Sequence, residues 1–315
     1  MFEGFRYRMP EWHPFQDQAA CERARRVTRA DWASFKHPHL KVIILRDDEF
    51  AFRWIQEIFG QIKQAADEGR RLVLILPQPD PLYARLAFLC NRLRVSCHHL
   101  YTFNMDEYAD EEGRIAPESW QNSFLYNMKV NFYGKLDPAL RPAESHFQGP
   151  TDANFRDYGK MIADMGGADV CYGGIGWSGH VAYIEPGSAA FPPMPMQEWV
   201  KIGPRIVKLT PFSILQNCLG PEFGQSGDWS LVPPQGATIG PADYLAARLR
   251  SSWNGFRVGS SMVSWQRFTV RLAAFTPPTP LIPATMLQMA PSELYLSESL
   301  AAAIEPASVE EFTWF

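Results

Sequence analysis

The segment 173–188 holds the residue types best suited to acid–base chemistry. It reads GGIGWSGHVAYIEPGS, with four glycines in its first seven positions, and such glycines let the backbone approach a ligand closely. His180 can take up or release a proton near neutral pH, and Glu185, five residues later, can orient its ring and hold it charged. By itself, the segment is equally typical of a tight turn with a solvated glutamate.

A second candidate is the acidic pair Asp106 and Glu107 in the segment NMDEY, residues 104–108, where a predicted strand is expected to lead into a loop rich in Asp and Glu. Apolar neighbours raise the pKa of a carboxyl group, so Asp106 is suited to act as a base at the end of a strand. An isolated pair of acids is more often a surface or helix-capping feature, because acidic side chains are mostly exposed. Neither segment is therefore decisive alone.

Together, the two segments resemble the glucosamine-6-phosphate deaminase (isomerase) family. The matching stretches are TFNMDEY (102–108), PESW (117–120), TDAxFRxY (151–158), GGIGxxGHVAYxEPGS (173–188) and LQM (287–289). The resemblance extends over roughly residues 40–305. The related 6-phosphogluconolactonases share the glycine–histidine loop, but its continuation, HVAYIEP, resembles the deaminases.

The resemblance implies roles for several residues. Asp106 would be the base that moves a proton between C1 and C2 of the opened sugar, His180 would assist opening of the ring, and Glu185 would hold that histidine. Contacts with the substrate are expected from Gly174, Gly176, Ser178, Gly179, Glu107, Gln78 and Arg267. This chemistry needs neither a metal ion nor an organic cofactor, and the sequence signals none. The expected partner is a small sugar.

The sequence also departs from the family pattern. The family has an aspartate where Ser178 stands, and a hydroxyl stabilises a charged imidazole less well. The family binds the sugar phosphate with a turn rich in Gly, Thr and Ser, but residues 76–81 read LPQPDP. Three prolines remove three N–H donors and Asp80 repels an anion. Arg267 is the one cation near the position of a late family lysine. We therefore expect a sugar that is unphosphorylated or whose anionic group is held elsewhere.

Two other functions stay open at this stage. A catalytically weakened relative could bind a sugar as a sensor or regulator, which Ser178 and the altered turn favour. Hydrolysis of a lactone would use His180 to activate water and would leave Asp106 without a role. The joint presence of Asp106, His180 and Glu185 favours the isomerase or deaminase, because a pure binder has no need of a base beside an imidazole.

The elements around these residues predict an α/β fold. Short apolar runs near residues 40–45, 72–76, 100–103, 168–172 and 293–296 alternate with amphipathic helical stretches. This alternation predicts a three-layer α/β/α sandwich with a mainly parallel, Rossmann-like sheet, whose ligands bind beyond the carboxyl ends of the strands. We expect residues 186–240 to be mostly loop, and residues 242–251 and 265–274 to be helical.

The bulk properties limit the remaining possibilities. Residues 1–39 are expected to form an extension packed on a single domain of residues 40–315. A net charge of -4 gives no field to attract nucleic acid or an anionic membrane. No apolar run is long enough for a membrane span or a secretory signal, and the five cysteines are scattered, so a reducing cytoplasm is expected. A homo-oligomer is left open.

Overall fold

A parallel sheet forms the centre of the computed structural model, which describes residues 9–255 and 266–305. Seven strands pair in the order β1-β10-β9-β6-β2-β3-β5, and each pair is parallel. The strands of the described chain are β1 Leu40–Leu45, β2 Leu72–Leu76, β3 Leu100–Asn104, β4 Asp106–Ala109, β5 Phe147–Gln148, β6 Val170–Gly173, β7 Arg205–Lys208, β8 Gln235–Thr238, β9 Leu249–Asn254 and β10 Ser292–Ser297.

Helices cover both faces of this sheet. They are α1 Gln18–Arg26, α2 Arg29–Ser34, α3 Phe50–Asp67, α4 Tyr83–Arg92, α5 Phe124–Asn131, α6 Tyr158–Asp164, α7 Met196–Trp199, α8 Pro211–Asn217, α9 Pro241–Ala246, α10 Thr269–Phe275 and α11 Glu298–Ala301. Within the described ranges, no helix is both long and apolar enough to cross a membrane.

Strand β2 shows why the molecule has three layers. Its five residues are all buried, and alternate side chains point to opposite faces of a strand. Leu72, Leu74 and Leu76 join a core formed with α3 and α4. Val73 and Ile75 join a second core, which includes residues of α6 and α10. The predicted α/β/α sandwich with a mainly parallel sheet is confirmed.

The edge strand β1 has one neighbour in the sheet, the late strand β10. The pairing runs from Leu40 opposite Ser292 to Leu45 opposite Ser297. The first and the last strand of the described chain thus lie side by side at one edge of the sheet, with β9 next to β10.

Strand β9 corrects one prediction. Residues 242–251 were expected to be helical, but α9 ends at Ala246 and β9 begins at Leu249, between β6 and β10. The strand reads LRSSWN, so the apolar run that marks a buried strand is missing. Arg250 is nevertheless fully buried, because its guanidinium donates to backbone carbonyls that include those of Leu245, Ala247 and Pro291.

A small second sheet comes from a region expected to be loop. Strand β8 pairs antiparallel with both β4 and β7. Strand β4 begins at Asp106, directly after β3, so the acidic segment is not the loop expected from its composition. The region 186–240 supplies β7, β8, α7 and α8. Short polar strands of this kind give little periodic signal in the sequence.

The described residues before β1 pack on α10 and on the loop that follows it. Phe15 and Cys21 share a core with Leu272 and Ile282. Arg271, fully buried in α10, donates to the carbonyl of Val27 and to those of Leu300 and Ala302. One side chain therefore links the segment before β1 to the segment after β10.

Candidate active site

A cavity of about 210 Å³ opens at the carboxyl ends of β2, β3, β6 and β9. Its lining includes Trp54, Pro77, Gln78, Asp80, Met105, Asp106, Phe124, Gly173, Gly174, Ile175, Gly176, His180, Ala182, Tyr183, Gln216, Asn217, Trp253 and Gln266. This is the edge at which parallel sheets bind ligands. Asp106, His180, Gln78, Gly174 and Gly176 were all predicted as site residues, and the fold brings them to this one cavity.

Asp106 is held rigidly in the cavity wall. Its backbone pairs with Thr238 in the second sheet, and its side chain is buried although it reaches the cavity. Burial raises the pKa of Asp106 well above its ordinary value, and the neighbouring charge of Glu107 raises it further. A carboxyl group of this kind is a stronger base, once ionised, than an exposed one.

Glu107 does not line the cavity. Its carboxylate accepts hydrogen bonds from the backbone N–H groups of Tyr108 at 3.0 Å, Phe124 at 2.9 Å and Leu125 at 2.9 Å. Two of these donors belong to the first turn of α5, whose N–H groups have no partner within the helix. Glu107, expected to contact the substrate, thus caps the start of α5. Burial raises the pKa of Glu107 to about 8 despite these donors.

The glycine-rich loop after β6 positions His180. A tight turn forms when Gly179 donates to the carbonyl of Gly176 and Gly176 donates to that of His180. Gly179 has a φ of 78°, which favours glycine. A Cβ atom at Gly176 would lie 2.0 Å from Nε2 of His180, so only glycine fits beside this edge of the ring.

Buried hydroxyl and carboxyl groups surround the other ring nitrogen. Nδ1 of His180 lies 2.7 Å from Oγ of Ser178 and 3.3 Å from Oγ of Ser213. The carboxylate of Glu185 is 3.7 Å from Nδ1 and has Ser178 Oγ at 3.1 Å. Burial lowers the pKa of His180, while the charge of Glu185 acts in the opposite direction.

Three further predicted contacts lie outside the cavity lining. Ser178 is behind the imidazole, in contact with Nδ1. Gly179 packs against Ile282 and Phe15. Arg267 donates to the carbonyl of Ala303, so its guanidinium points to the segment after β10. Arg267 was chosen for its charge and position in sequence, and neither reveals where a side chain points.

Two tryptophans of the cavity, Trp54 and Trp253, were not predicted from the sequence. Trp253 lies one residue before the end of β9 and stacks on Tyr295 with ring centroids 3.9 Å apart, and Trp54 lies on α3. Gln266 was also missed: its amide donates to the carbonyl of Ile175 and to Oδ1 of Asn254. A motif with fixed spacing could not reveal these residues, because the fold alone brings them together.

The turn after β2 presents a carboxyl group and an amide to the cavity. Oδ1 of Asp80 accepts the N–H of Leu82 at 2.7 Å. The amide of Gln78 donates to Oε1 of Glu222, which also accepts the hydroxyl of Tyr108 at 3.2 Å. Burial raises the pKa of Asp80 and brings that of Glu222 to about 7. No lysine or arginine appears in the described lining, and the described residues contain no cluster of three His, Cys, Asp or Glu side chains placed to hold a metal.

Comparison with known proteins places this chain in a family. No protein-family model matches the sequence. Glucosamine-6-phosphate deaminase of Caenorhabditis elegans is 34% identical over 207 residues, which cover 64% of this chain and 68% of the relative. The enzyme of that name from Mannheimia succiniciproducens is 32% identical over 216 residues, covering 66% and 73%. The chain belongs to the glucosamine-6-phosphate deaminase family.

Solved structures support the same fold for this deaminase-family chain. A monomeric glucosamine-6-phosphate deaminase superposes with a TM-score of 0.63 at 19% identity, over 83% of this chain and 98% of the other. A 6-phosphogluconolactonase from Trypanosoma cruzi gives 0.55 at 16% identity, over 85% and 97%. Members of an isomerase and deaminase family and lactonases thus share this architecture.

Proposed function

We propose that this protein catalyses an isomerase or deaminase reaction on an amino sugar or a related sugar derivative, with Asp106 as the base that moves a proton between C1 and C2. The observation that carries the proposal is that Asp106 and His180, from different strand ends, line one cavity. A carbon acid needs a strong base close to its C–H bond, and burial raises the pKa of Asp106 toward that requirement.

His180 is suited to open the sugar ring. A neutral imidazole accepts the proton of the C1 hydroxyl as that oxygen forms the C1 carbonyl and the bond from C1 to the ring oxygen breaks. The imidazolium then returns the proton to the ring oxygen, so that the histidine ends as it began. The lowered pKa of His180 favours the neutral starting form at neutral pH.

The sugar is not held through a 6-phosphate at the turn of residues 77–81. Pro77, Pro79 and Pro81 provide no N–H groups, and Asp80 adds a carboxyl group to the cavity wall. Gln78 directs its amide N–H to Glu222, so this wall offers acceptors to a ligand and few donors. These features favour a hydroxyl group over a phosphate at this position, although the curated relatives are named for a phosphorylated sugar.

Exchange of a sugar proton with solvent tests the proposal. The protein is incubated in D₂O with glucosamine, glucosamine-6-phosphate and a panel of aldoses and ketoses, and proton NMR follows the C1 and C2 signals. We expect exchange with an unphosphorylated sugar, lost in Asp106→Asn and kept in the surface variant Asp157→Asn.

Other outcomes separate the alternatives. Exchange with the phosphorylated sugar alone would preserve Asp106 as the base and contradict the proposed role of the turn. Sugar binding without exchange would favour a sensor, and acid release from a lactone would favour hydrolysis.

A further inference from the structure

Three buried side chains form a chain behind the imidazole of His180. Oγ of Ser178 lies 2.7 Å from Nδ1 and 3.1 Å from Oε2 of Glu185. Nδ1 and Oε2 are 3.7 Å apart, which is beyond a direct hydrogen bond. The hydroxyl of Ser178 therefore links the ring to the carboxylate.

The chemistry of the three groups sets the direction of these hydrogen bonds. A carboxylate can only accept, so Ser178 donates its single hydrogen to Oε2. The other oxygen, Oε1, faces the hydroxyl of Thr210 at 3.3 Å and its N–H at 3.5 Å. Because Ser178 has no second hydrogen, it can only accept from Nδ1, which must then carry the hydrogen of the ring.

We propose that Ser178 is a positioning residue that fixes neutral His180 as its Nδ1–H tautomer and leaves Nε2 as a proton acceptor on the cavity side. The edge of the ring that bears Nε2 lies against Gly176, and both residues line the cavity. The groups that face the ring are Ser178, Ser213, Glu185 and Gly176, and Glu185 is the charged one in this described set. The inference goes beyond the proposed reaction, because it concerns the resting protein whatever its sugar.

This arrangement gives Ser178, which stands at the position of the family aspartate, a different role from the one expected. From the sequence, Ser178 was expected to stabilise the charged form of the His180 imidazole less well than an aspartate does. In the structure, the serine transmits the influence of Glu185 to the ring and presents Nε2 in the form that accepts a proton.

The tautomer is measured by long-range ¹H–¹⁵N correlation NMR on the full-length ¹⁵N-labelled protein. The chain has seven histidines, so the signals of His180 are assigned by their loss in His180→Gln. We expect a protonated Nδ1 and an unprotonated Nε2 at neutral pH. A protonated Nε2 in the wild-type protein would overturn the proposal.

The isosteric variant Glu185→Gln gives a test in the opposite direction. Thr210 still requires an acceptor at Oε1, so the new amide N–H₂ faces Ser178 and donates to it. Ser178 must then donate to Nδ1, and the hydrogen of the ring moves to Nε2. We expect the NMR signature to switch to the Nε2–H tautomer. An unchanged tautomer in this variant would contradict a link through Ser178.

Two serine variants form a matched pair. Ser178 and Ser213 are both buried and both face Nδ1, at 2.7 Å and 3.3 Å. We expect Ser178→Ala to mix the two tautomers and Ser213→Ala to keep the wild-type pattern. Equal changes in the two variants would show that packing around the ring, and not the link to Glu185, sets the tautomer. Thermal unfolding confirms that each variant is folded.

Discussion

Asp106 and Glu107 are adjacent acids with different surroundings, and the reason is geometric. Both lie in β4, where neighbouring side chains point to opposite sides. Asp106 therefore faces the cavity and Glu107 faces the start of α5. From the sequence, both were expected to serve the site, because the segment was interpreted as a loop. The identity of the acids was predictable, but their orientation depended on a short strand that has no periodic signal.

The raised pKa of Asp106 predicts a conflict between activity and stability. Above the ordinary aspartate pKa of about 3.9, the unfolded chain has released this proton while the folded protein binds it more tightly. Stability contributed by this group therefore falls as the pH rises above that value. We expect Asp106→Asn to unfold at a higher temperature than the wild type at pH 8, and the difference to vanish below about pH 4.

The same variant, Asp106→Asn, should lose activity although it gains stability. Removal of a general base costs about 10²–10⁴ in rate, so the exchange assay in D₂O should show a loss of that size. The surface variant Asp157→Asn should match the wild type in both measurements. An Asp106→Asn variant that is active, or that is less stable than the wild type at pH 8, would contradict the role of Asp106 as a base whose pKa is raised by burial.

At the scale of elements, the loop after β6 packs so closely on His180 that residue 176 has no room for a side chain. The glycine-rich segment 173–176 begins at the last residue of β6, and its motif was recognisable from the sequence because fixed spacing survives in a single loop. The tryptophans came from α3 and from β9, and their approach depends on the order of strands. Local chemistry was thus predictable, whereas contributions from distant elements were not.

Gly176 should tolerate no side chain. In Gly176→Ala the new Cβ would lie 2.0 Å from Nε2 of His180, so the imidazole must move. A displacement of this kind costs about 10²-fold in rate or more. The matched variant Gly60→Ala, in the middle of α3 with open space around the new Cβ, should keep full activity and gain about 1 kcal/mol of stability. Kinetics and chemical unfolding of both variants check these expectations, and full activity in Gly176→Ala would contradict the placement of the ring.

The turn of residues 77–81 should discriminate against anionic sugars through Asp80. In Asp80→Asn the side-chain oxygen that accepts the N–H of Leu82 is kept, while the charge facing the cavity is removed. We expect affinity for glucosamine-6-phosphate to rise on the order of tenfold, equivalent to about 1.4 kcal/mol, with little change for glucosamine. Isothermal titration of both sugars measures this, and the surface variant Asp164→Asn is the control. An equal change in affinity for both sugars would mean that the charge of Asp80 does not discriminate against the phosphate group.

At the scale of the molecule, buried arginines hold distant parts of the chain together. Arg271 donates to carbonyls before β1 and after β10, and its guanidinium lies over the ring of Trp32. Burial lowers the pKa of Arg271 to about 10. The segment before β1 was expected to pack on the domain, but the sequence does not reveal an arginine as the link, because arginine is usually exposed.

Arg271→Met should therefore destabilise the protein strongly. The substitution leaves several buried carbonyls without donors, at about 1 kcal/mol or more each, so we expect a loss of about 3 kcal/mol in the free energy of unfolding. Arg248→Met removes an exposed arginine paired with Asp169 at 3.1 Å and should cost under about 1 kcal/mol. Urea unfolding measures both, and similar losses in the two variants would contradict a special role for Arg271.

The pairing of β1 with β10 also has a consequence during synthesis on the ribosome. Leu40 is translated 252 residues before Ser292, the residue opposite to it in the sheet. At about 5–20 residues per second, the nascent chain would carry this strand for roughly 13–50 s before its partner emerges. Throughout that interval, an apolar strand edge is open to other chains. Newly made protein should consequently be most dependent on chaperones until β10 has emerged, and a ribosome stalled ahead of residue 292 should hold a chain that has not yet formed its native sheet.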